Sequence, residues 1–263
     1  MAEKGTMKMQ KTTEVAGMDF HHENFLRRSR YATVFFVLLI AFGAITVLNI
    51  NTGNVHISVE NILKIIFLRQ GEEMEYNIIW KIRLPRILMA AILGGGLSLS
   101  GFLLQTFFEN PIAGPFVLGI SSGAKMIVAL AMIYFIGHYQ VVSSYTLIIA
   151  AFIGSLIATG FILLVSRRVQ HMATLLVAGI MIGYICSAVT DFVVTFAEDS
   201  DIVNLHGWSQ GSFSGMSWSN VQVAAIVVGI AALLAFLMSK PIGAYQLGEA
   251  YAQSMGVNIK AFR

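Results

Sequence analysis

The stretch "KIRLPRILMAAILGGGLSLSGFLLQTFFENPIAGPF", residues 81–116, decides the fold class of this chain. It opens with Arg83 and Arg86 on either side of a leucine and a proline, continues as a glycine-rich apolar segment and ends at a polar break. A helix that rises 1.5 Å per residue needs about 20 apolar residues to cross the hydrocarbon core of a membrane. Residues 87–108 meet that length. The stretch therefore predicts a membrane-spanning helix with a basic entrance and a sharp end.

The composition of the 263-residue chain excludes an ordinary soluble domain. Hydrophobic residues make up 56% of the sequence and charged residues 12%, and the mean hydropathy is +0.73. A soluble domain carries about 25% charged residues. So much apolar surface cannot be buried inside one globule, and lipid is expected to solvate it. The net charge of +3 comes from short basic clusters and gives no argument for nucleic acid as a partner. We therefore predict an all-α fold, a polytopic helical bundle in the lipid bilayer.

Six stretches are long and apolar enough to predict transmembrane helices. They cover approximately residues 31–50, 87–108, 116–136, 145–165, 172–196 and 219–238. The chain is accordingly predicted to have three regions: a disordered cytoplasmic tail over 1–30, a transmembrane bundle over 31–238 and a cytoplasmic segment over 239–263.

The distribution of lysine and arginine predicts which side of the membrane each loop faces. Arg167 and Arg168 fall in one predicted loop, whereas the loops over 137–144 and 197–218 contain no lysine or arginine. Because positively charged loops stay on the cytoplasmic side, this asymmetry predicts a multi-pass protein with a cytoplasmic N-terminus. The segment between the first two spans departs from the rule, since it holds Lys64, Arg69, Lys81, Arg83 and Arg86.

Two features of that segment favour different explanations for its charge. The sequence "SVENILKIIFLRQ", residues 58–70, predicts a short helix along the membrane surface with Ser58 as its N-cap. Arg83 and Arg86 have two interpretations at this stage. They are either anchors that extend to the interface from a helix end, or an electropositive rim for an acidic partner outside the membrane.

Small residues predict close contacts between the helices of the bundle. Gly119 and Gly123, and Gly179 and Gly183, each have three residues between them. This spacing lets two helices approach closely in lipid, where packing drives association. The pattern predicts a tightly packed bundle rather than independent anchors.

The break "ENPIAGP", residues 109–115, predicts irregular backbone at membrane depth. Pro111 and Pro115 cannot continue a helix, and each disfavours helical angles at the residue before it. Such backbone is tolerated only against protein or beside a water-filled path. The polar groups around the break, which we expect to lie near such a path, are Gln105, Glu109, Asn110 and Lys125.

The end of the chain predicts a short amphipathic helix after Pro241, which is expected to stop the last span. Leu247, Ala250, Tyr251 and Met255 are predicted on one side, and the other side carries Glu249, Gln253 and Ser254. Gly256 is the predicted C-cap. The polar side is neutral to acidic, which suits an anionic membrane surface poorly. A groove on another protein is therefore the better partner.

The sequence predicts neither a catalytic site nor a metal or cofactor site. Residues 119–123 match G-x-S-x-G, but that motif needs a strand before it and a histidine and an acid beside it. The sequence that begins at His22 does not complete the zinc-binding motif H-E-x-x-H, because position 26 is a leucine and not a histidine. No G-x-x-x-x-G-K-[ST] is found, so this chain is not expected to bind and hydrolyse ATP through a P-loop.

Taken together, these segments resemble the FecCD-type permeases of bacterial ABC importers, which take up ferric siderophores, haem and vitamin B12. The similar motifs occur in the family's order: "RLPR" at 83–86, "SGFLLQTFFENPIAGPFVLGISSGA" at 100–124, W-x-x-G at 208–211 and "LGEAYAQSMGV" at 247–257. The resemblance extends from about residue 30 to the end of the sequence.

The resemblance implies a location and a role for each motif. Arg83 and Arg86 would face outward and pair with glutamates of an extracytoplasmic substrate-binding protein. The translocation path and its inner turn would involve Gln105, Glu109, Asn110, Pro111, Pro115 and Gly119. The segment that would dock into a cytoplasmic ATP-binding subunit includes Leu247, Gly248, Glu249, Ala250 and Gly256. A second permease protomer, identical or related, would complete the pathway in the bacterial inner membrane.

The sequence departs from the family in its number of spans, because members have about ten and about six are predicted here. Three hypotheses follow from this comparison. The chain is the permease subunit of an importer for ferric-siderophore-type chelates, a non-transporting fragment of such a permease, or a secondary transporter or channel. The last would need ionisable residues in relay positions, and the spans offer only Lys125 and Asp191. The sequence does not identify the chelate or decide between homodimer and heterodimer.

Overall fold

The computed structural model describes residues 2–53, 55–136, 144–166, 168–169 and 172–262, and every regular element in these ranges is helical. The predicted all-α class is confirmed. The helices are α1 (Ala2–Asn51), α2 (Val59–Leu63), α3 (Glu73–Asn77), α4 (Leu84–Phe108), α5 (Ile120–Ile136), α6 (Ser144–Ser166), α7 (Met172–Val194), α8 (Asp199–Gln210), α9 (Trp218–Leu237), α10 (Ser239–Tyr245), α11 (Glu249–Ser254) and α12 (Ile259–Phe262). Two wide π turns, Lys64–Leu68 and Ile78–Arg83, follow α2 and α3.

Five helical stretches among the described residues are long and apolar enough to cross a membrane. They are Glu23–Asn51, Glu73–Phe108, Tyr145–Ser166, Ala173–Val194 and Trp218–Leu237. The third predicted span differs, because α5 begins only at Ile120 and its apolar part is shorter than the other five. Residues 111–119 form turns instead of helix, so the predicted stretch over 116–136 loses its first turn.

The backbone of the predicted disordered tail is helical in the structure, since α1 starts at Ala2 and continues without a break into the first span. The residues before position 31 include no proline and many good helix formers, such as lysine, glutamate, methionine and glutamine. Helix propagation from the span into these residues accounts for the helical backbone. The division into three regions remains a prediction.

Residues 1–87 form one compact unit with its own core. Isoleucine side chains fill this core, with no more than 1% of any of them exposed: Ile50, Ile57, Ile62, Ile65 and Ile79. Ile50 lies at the end of α1, so the core holds α2 and the π turns against the end of the first span. The predicted N-cap is confirmed, because Ser58 Oγ accepts a hydrogen bond from the backbone N–H of Asn61 at 3.2 Å.

Residues 88–263 form the second compact unit. Glycines bring its helices together, as the spacing predicts. A Cβ on Gly123 would lie 2.7 Å from the carbonyl oxygen of Gly154, so α5 and α6 touch through their backbones. Gly119 makes the equivalent contact with Gly179 and Gly183 of α7. Helix α8 packs against α5 through Leu205, next to the buried core of α5 and α6.

Candidate functional site

The two arginines at the basic entrance have different surroundings. Arg83 is half-buried, and its guanidinium donates hydrogen bonds to the carbonyl oxygens of Ile50 and of Val55, the second at 2.6 Å. Arg86 is exposed. The two arginines therefore differ in their surroundings: Arg83 holds the loop after α1 to the start of α4, and Arg86 has an exposed side chain. The predicted role of both in docking a partner stays a prediction.

The local sequence explains why Arg83 turns inward. Pro85 lacks a backbone N–H, and a proline ring clashes with the carbonyl four residues before it. The backbone widens here into the π turn over Ile78–Arg83, where the N–H of Leu84 reaches back five residues to Ile79. Gly53 completes the arrangement, because a Cβ there would lie 2.5 Å from the Arg83 guanidinium. A proline and a glycine together make space for the half-buried cation.

A cavity of about 430 Å³ lies beside these arginines in the first unit. Its lining combines the polar side chains of Asn49 and Thr52 with Arg83, Arg86 and the apolar face of Ile82. A concave site with one exposed and one half-buried cation suits a carboxylate from a partner. Elsewhere in the same unit, Glu60 pairs with Lys64, and Glu75 accepts a hydrogen bond from Asn61.

Replacing Arg83 with methionine is expected to lower the free energy of unfolding by about 2 kcal/mol, because two partly buried carbonyl groups lose a charged donor. Thermal unfolding of the purified chain in detergent measures this loss. Arg86→Met is the matched control, and it should unfold near the temperature of the unchanged protein. Equal melting temperatures for the two variants would contradict the structural role of Arg83.

The predicted inner turn begins with a left-handed residue at the end of α4. Glu109 has a φ of +48°, a conformation that side chains other than glycine rarely adopt. The N–H of Glu109 bonds to Thr106, and the N–H of Asn110 bonds to the carbonyl oxygen of Gln105 at 3.1 Å. These two bonds form a Schellman end. Glutamate at this position therefore carries backbone strain, which structures tend to retain at functional sites.

The remainder of the turn is held by side-chain and apolar contacts. Asn110 Oδ1 accepts a hydrogen bond from the N–H of Ile112 at 2.9 Å, which closes an Asx turn. Ala113 and Leu118 are buried against α6 and α7. Pro111 is exposed and Pro115 is half-buried. The turn is consequently anchored at two points while its proline-containing edge stays accessible.

Gly119 is the last residue of the turn, and its backbone lies directly against the backbone of α7. It has a φ of +71°, and a Cβ there would lie 2.6 Å from the backbone nitrogen of Gly183. Only glycine satisfies both conditions. The structure therefore brings Glu109, Asn110, Pro111, Pro115 and Gly119 into one continuous turn, with Gln105 exposed on the last helical turn before it.

The predicted docking helix is present as α11, and two glycines define its ends. Gly248 has a φ of +109° at the N-cap position, and Gly256 has a φ of +85° after the last turn. The N–H groups of Gly256 and Val257 bond to Gln253 and Ala252, both at 3.1 Å, which forms a Schellman end. The predicted role of Gly256 as a helix cap is confirmed.

The surface of α11 presents apolar side chains outward. Tyr251 lies in α11, Leu247 lies just before the N-cap glycine and Met255 is the C-cap residue, and 46%, 68% and 64% of their surfaces are exposed. We call these three residues the α11 stripe. Glu249 and Ala250 are also exposed, and the buried residue of α11 is Ala252. The face that the sequence predicts for docking is therefore open, and a small alanine packs on the bundle instead.

Sequence reasoning missed a link between the docking helix and the inner turn. Gln246 Nε2 donates a hydrogen bond to Thr106 Oγ1 at 3.1 Å, which joins the end of α10 to the last turn of α4. The 140 residues between the two partners hide this contact from any local pattern. Pro241 also differs from its prediction, because the span already ends at Leu237 and Pro241 lies in the first turn of α10, where proline is tolerated.

Comparison with known proteins gives a consistent assignment. Residues 37–263 match the FecCD transport family. The chain is 35% identical over 184 residues to the hemin transport system permease protein HmuU of Yersinia pestis, covering 69% of this chain and 55% of that protein. It is also 35% identical over 185 residues to the vitamin B12 import system permease protein BtuC of Klebsiella pneumoniae, covering 70% and 55%.

A solved structure supports the same fold. A metal-chelate type ABC transporter in an inward-facing conformation superposes with a TM-score of 0.73 at 22% identity, covering 88% of this chain and 70% of that one. The chain spans about half the length of the two permeases that it matches. On the match over residues 37–263, this chain belongs to the FecCD transport family.

Proposed function

We propose that this chain is the membrane-spanning permease subunit of a binding-protein-dependent ABC importer. It would carry a ferric-siderophore-type chelate into the cytoplasm of a bacterium, with its N-terminus on the cytoplasmic side. Haem and vitamin B12 are the substrates in the names of its relatives. Both are large metal chelates, which supports this substrate class. ATP would be hydrolysed on a separate cytoplasmic subunit, and a second permease protomer would complete the pathway.

The observation that carries the proposal is the geometry of α11. A six-residue helix is bounded by two positive-φ glycines, and the residues of the α11 stripe, on and beside this helix, are all exposed. Exposed apolar residues clustered around a short helix suit a groove on a protein partner. The Gln246–Thr106 hydrogen bond joins this segment to the helix that leads into the inner turn. Movement of a docked partner would thereby reach residues 105–119, as transport coupling requires.

The basic entrance supports the other proposed partner. Arg86 is exposed beside the 430 Å³ cavity. Arg83 holds the loop that lines this cavity, because it donates hydrogen bonds to carbonyl oxygens of the loop. We assign the direct contact with an acidic group of the substrate-binding protein to Arg86. Arg83 would act mainly by holding the cavity in shape, with its charge contributing to the same field.

The proposal is tested by co-purifying the chain with a P-loop ATPase and a substrate-binding protein of an ABC importer from the same organism. ATPase activity is then measured in lipid nanodiscs. Stimulation by binding protein loaded with an iron(III) hydroxamate chelate, and its reduction in the Arg86→Glu variant, would support the importer. Chelate uptake into proteoliposomes without any ATPase would overturn it in favour of a secondary transporter.

Arg86→Glu alone is expected to weaken association with the loaded binding protein by about tenfold, mainly through a slower association rate. Surface plasmon resonance at low and high salt measures the effect, which should shrink as salt screens the charge. Lys81→Glu is the control, because it reverses a nearby exposed charge that does not line the cavity. An equal loss in both variants would indicate a general field and contradict a specific contact.

A further inference from the structure

Helix α2 and its π turn have two apolar faces, of which only one is used by the core. Ile62 and Ile65 face the core, with 1% and 0% of their surfaces exposed. Val59, Leu63 and Phe67 follow one another at intervals of four residues and are all exposed, Phe67 to 77%. We call these three residues the α2 stripe. A core-facing helix needs only one apolar side, so the second side requires its own explanation.

The position of α2 in the unit indicates what meets this second face. The core residue Ile50 is at the end of the span in α1, and it packs with Ile62 and Ile65. The helix is therefore held at the depth where the first span leaves the hydrocarbon. Leu48 in the last turns of α1 is also exposed, so apolar surface continues from the span towards α2. A surface at this depth borders the acyl chains and headgroups of one leaflet.

Two basic residues next to the α2 stripe suit anionic headgroups, although the same segment also holds Glu60, Glu72, Glu73 and Glu75. Lys64 follows Leu63, and Arg69 lies just beyond Phe67 with its guanidinium 5.4 Å from the centre of the Trp80 ring. Trp80 donates a hydrogen bond to the carbonyl oxygen of Ile65 at 3.3 Å, which fixes the ring beside the helix. Tryptophan with basic residues is typical of the membrane interface. Lys64 and Arg69 are also among the cations that depart from the charge rule used to predict orientation.

We propose that α2 and its π turn form a lipid-binding anchor. The α2 stripe inserts among the acyl chains at the end of the first span, and Lys64 and Arg69 contact the phosphates of anionic lipids. Glu60 limits the contribution of Lys64, because the two form an exposed ion pair at 2.6 Å. The hydrogen bond from Lys64, and then its charge, lower the pKa of Glu60. Arg69 is therefore the stronger headgroup contact. The anchor requires no transport partner.

Depth-dependent quenching tests the insertion of the stripe. In a Cys186→Ser background, the probe NBD is attached at Phe67→Cys or at the control Glu60→Cys, which lies on the charged side of the same helix. The full chain is placed in nanodiscs that contain acyl-spin-labelled phosphatidylcholine. We expect quenching at position 67 to exceed quenching at position 60 by at least about twofold. Equal quenching at both positions would overturn the insertion. Protection of position 67 from both spin label and aqueous iodide would overturn it too, since protein would then cover the stripe.

Retention of lipid tests the headgroup contact. The chain is reconstituted with equal amounts of phosphatidylglycerol and phosphatidylcholine, and bound lipid is counted by native mass spectrometry after delipidation. Arg69→Gln should reduce the preference for phosphatidylglycerol by about fivefold, while Arg69→Lys should keep most of it. An unchanged preference in Arg69→Gln and in the Lys64→Gln, Arg69→Gln double variant would overturn the contact. Neither measurement uses the ATPase or the binding protein, so a failure here leaves the proposed importer function untouched.

Discussion

Gly119→Ala is expected to destabilise the bundle of α5, α6 and α7 by about 3 kcal/mol, from a left-handed backbone that now carries a side chain and from overpacking. The added Cβ would lie 2.6 Å from the nitrogen and 2.7 Å from the Cα of Gly183. These are backbone atoms, and no change of rotamer can move them away. Relief requires α5 and α7 to separate, which also opens the buried contacts of Leu118.

Thermal unfolding is measured as the temperature at which Cys186 becomes open to alkylation. This residue is the single cysteine and is buried with Ala158 and Ile182. Gly94→Ala is the control, and it is expected to raise the stability instead of lowering it. Gly94 lies inside α4 with no atom within 4 Å of an added Cβ, so alanine should stabilise the helix by about 1 kcal/mol. If both variants released Cys186 at the same temperature, the close contact between α5 and α7 would be contradicted.

Tyr251→Asp is expected to weaken binding of the ATP-binding subunit by about a hundredfold, because a buried aromatic anchor at an interface is replaced by a charge. Tyr251 is the middle residue of the α11 stripe, between Leu247 and Met255. The affinity is measured by titrating the purified ATPase onto the chain in nanodiscs. The folded state should be unaffected, since the side chain lies outside the bundle.

Gln253→Asp is the matched control for this prediction. It adds the same charge to the same helix, on the opposite side from Tyr251, and should change the affinity by no more than about twofold. Equal losses in the two variants would mean that the partner senses charge near α11 and does not bind the α11 stripe. Unchanged affinity in Tyr251→Asp would remove α11 from the interface altogether.

Local signals in the sequence predicted the fold class and the ends of short helices. The Ser58 cap and the Gly256 cap depend on residues within a few positions of each other, and both are confirmed. The small-xxx-small pairs predicted close helix contacts for the same reason. They could not identify which helices meet. The pairing of Gly119 with Gly183, and of Gly123 with Gly154, depends on the three-dimensional arrangement of the bundle.

The roles of single polar residues were harder to predict from the sequence. Charge and position alone made Arg83 and Arg86 look equivalent. Their difference depends on where the carbonyl groups of Ile50 and Val55 point, which is a property of the folded loop. The Gln246–Thr106 hydrogen bond was missed because its partners are far apart in the chain. The third span is shorter than predicted because residues 111–119 are apolar but form turns instead of helix. Hydropathy alone could not reveal this.

The backbone contacts of the glycines have a mechanical consequence. Where helices meet through side chains, rotamer changes let them slide by small steps. Helix α5 meets α6 through the main chain of Gly123 and Gly154, and Gly119, directly before α5, meets α7 at Gly183; main-chain atoms have no rotamers to change. Close-packed interiors of this kind transmit displacement instead of absorbing it. Any force applied to one of these three helices should therefore move all three as one rigid body. Bending should be confined to the part of the irregular turn that precedes Gly119.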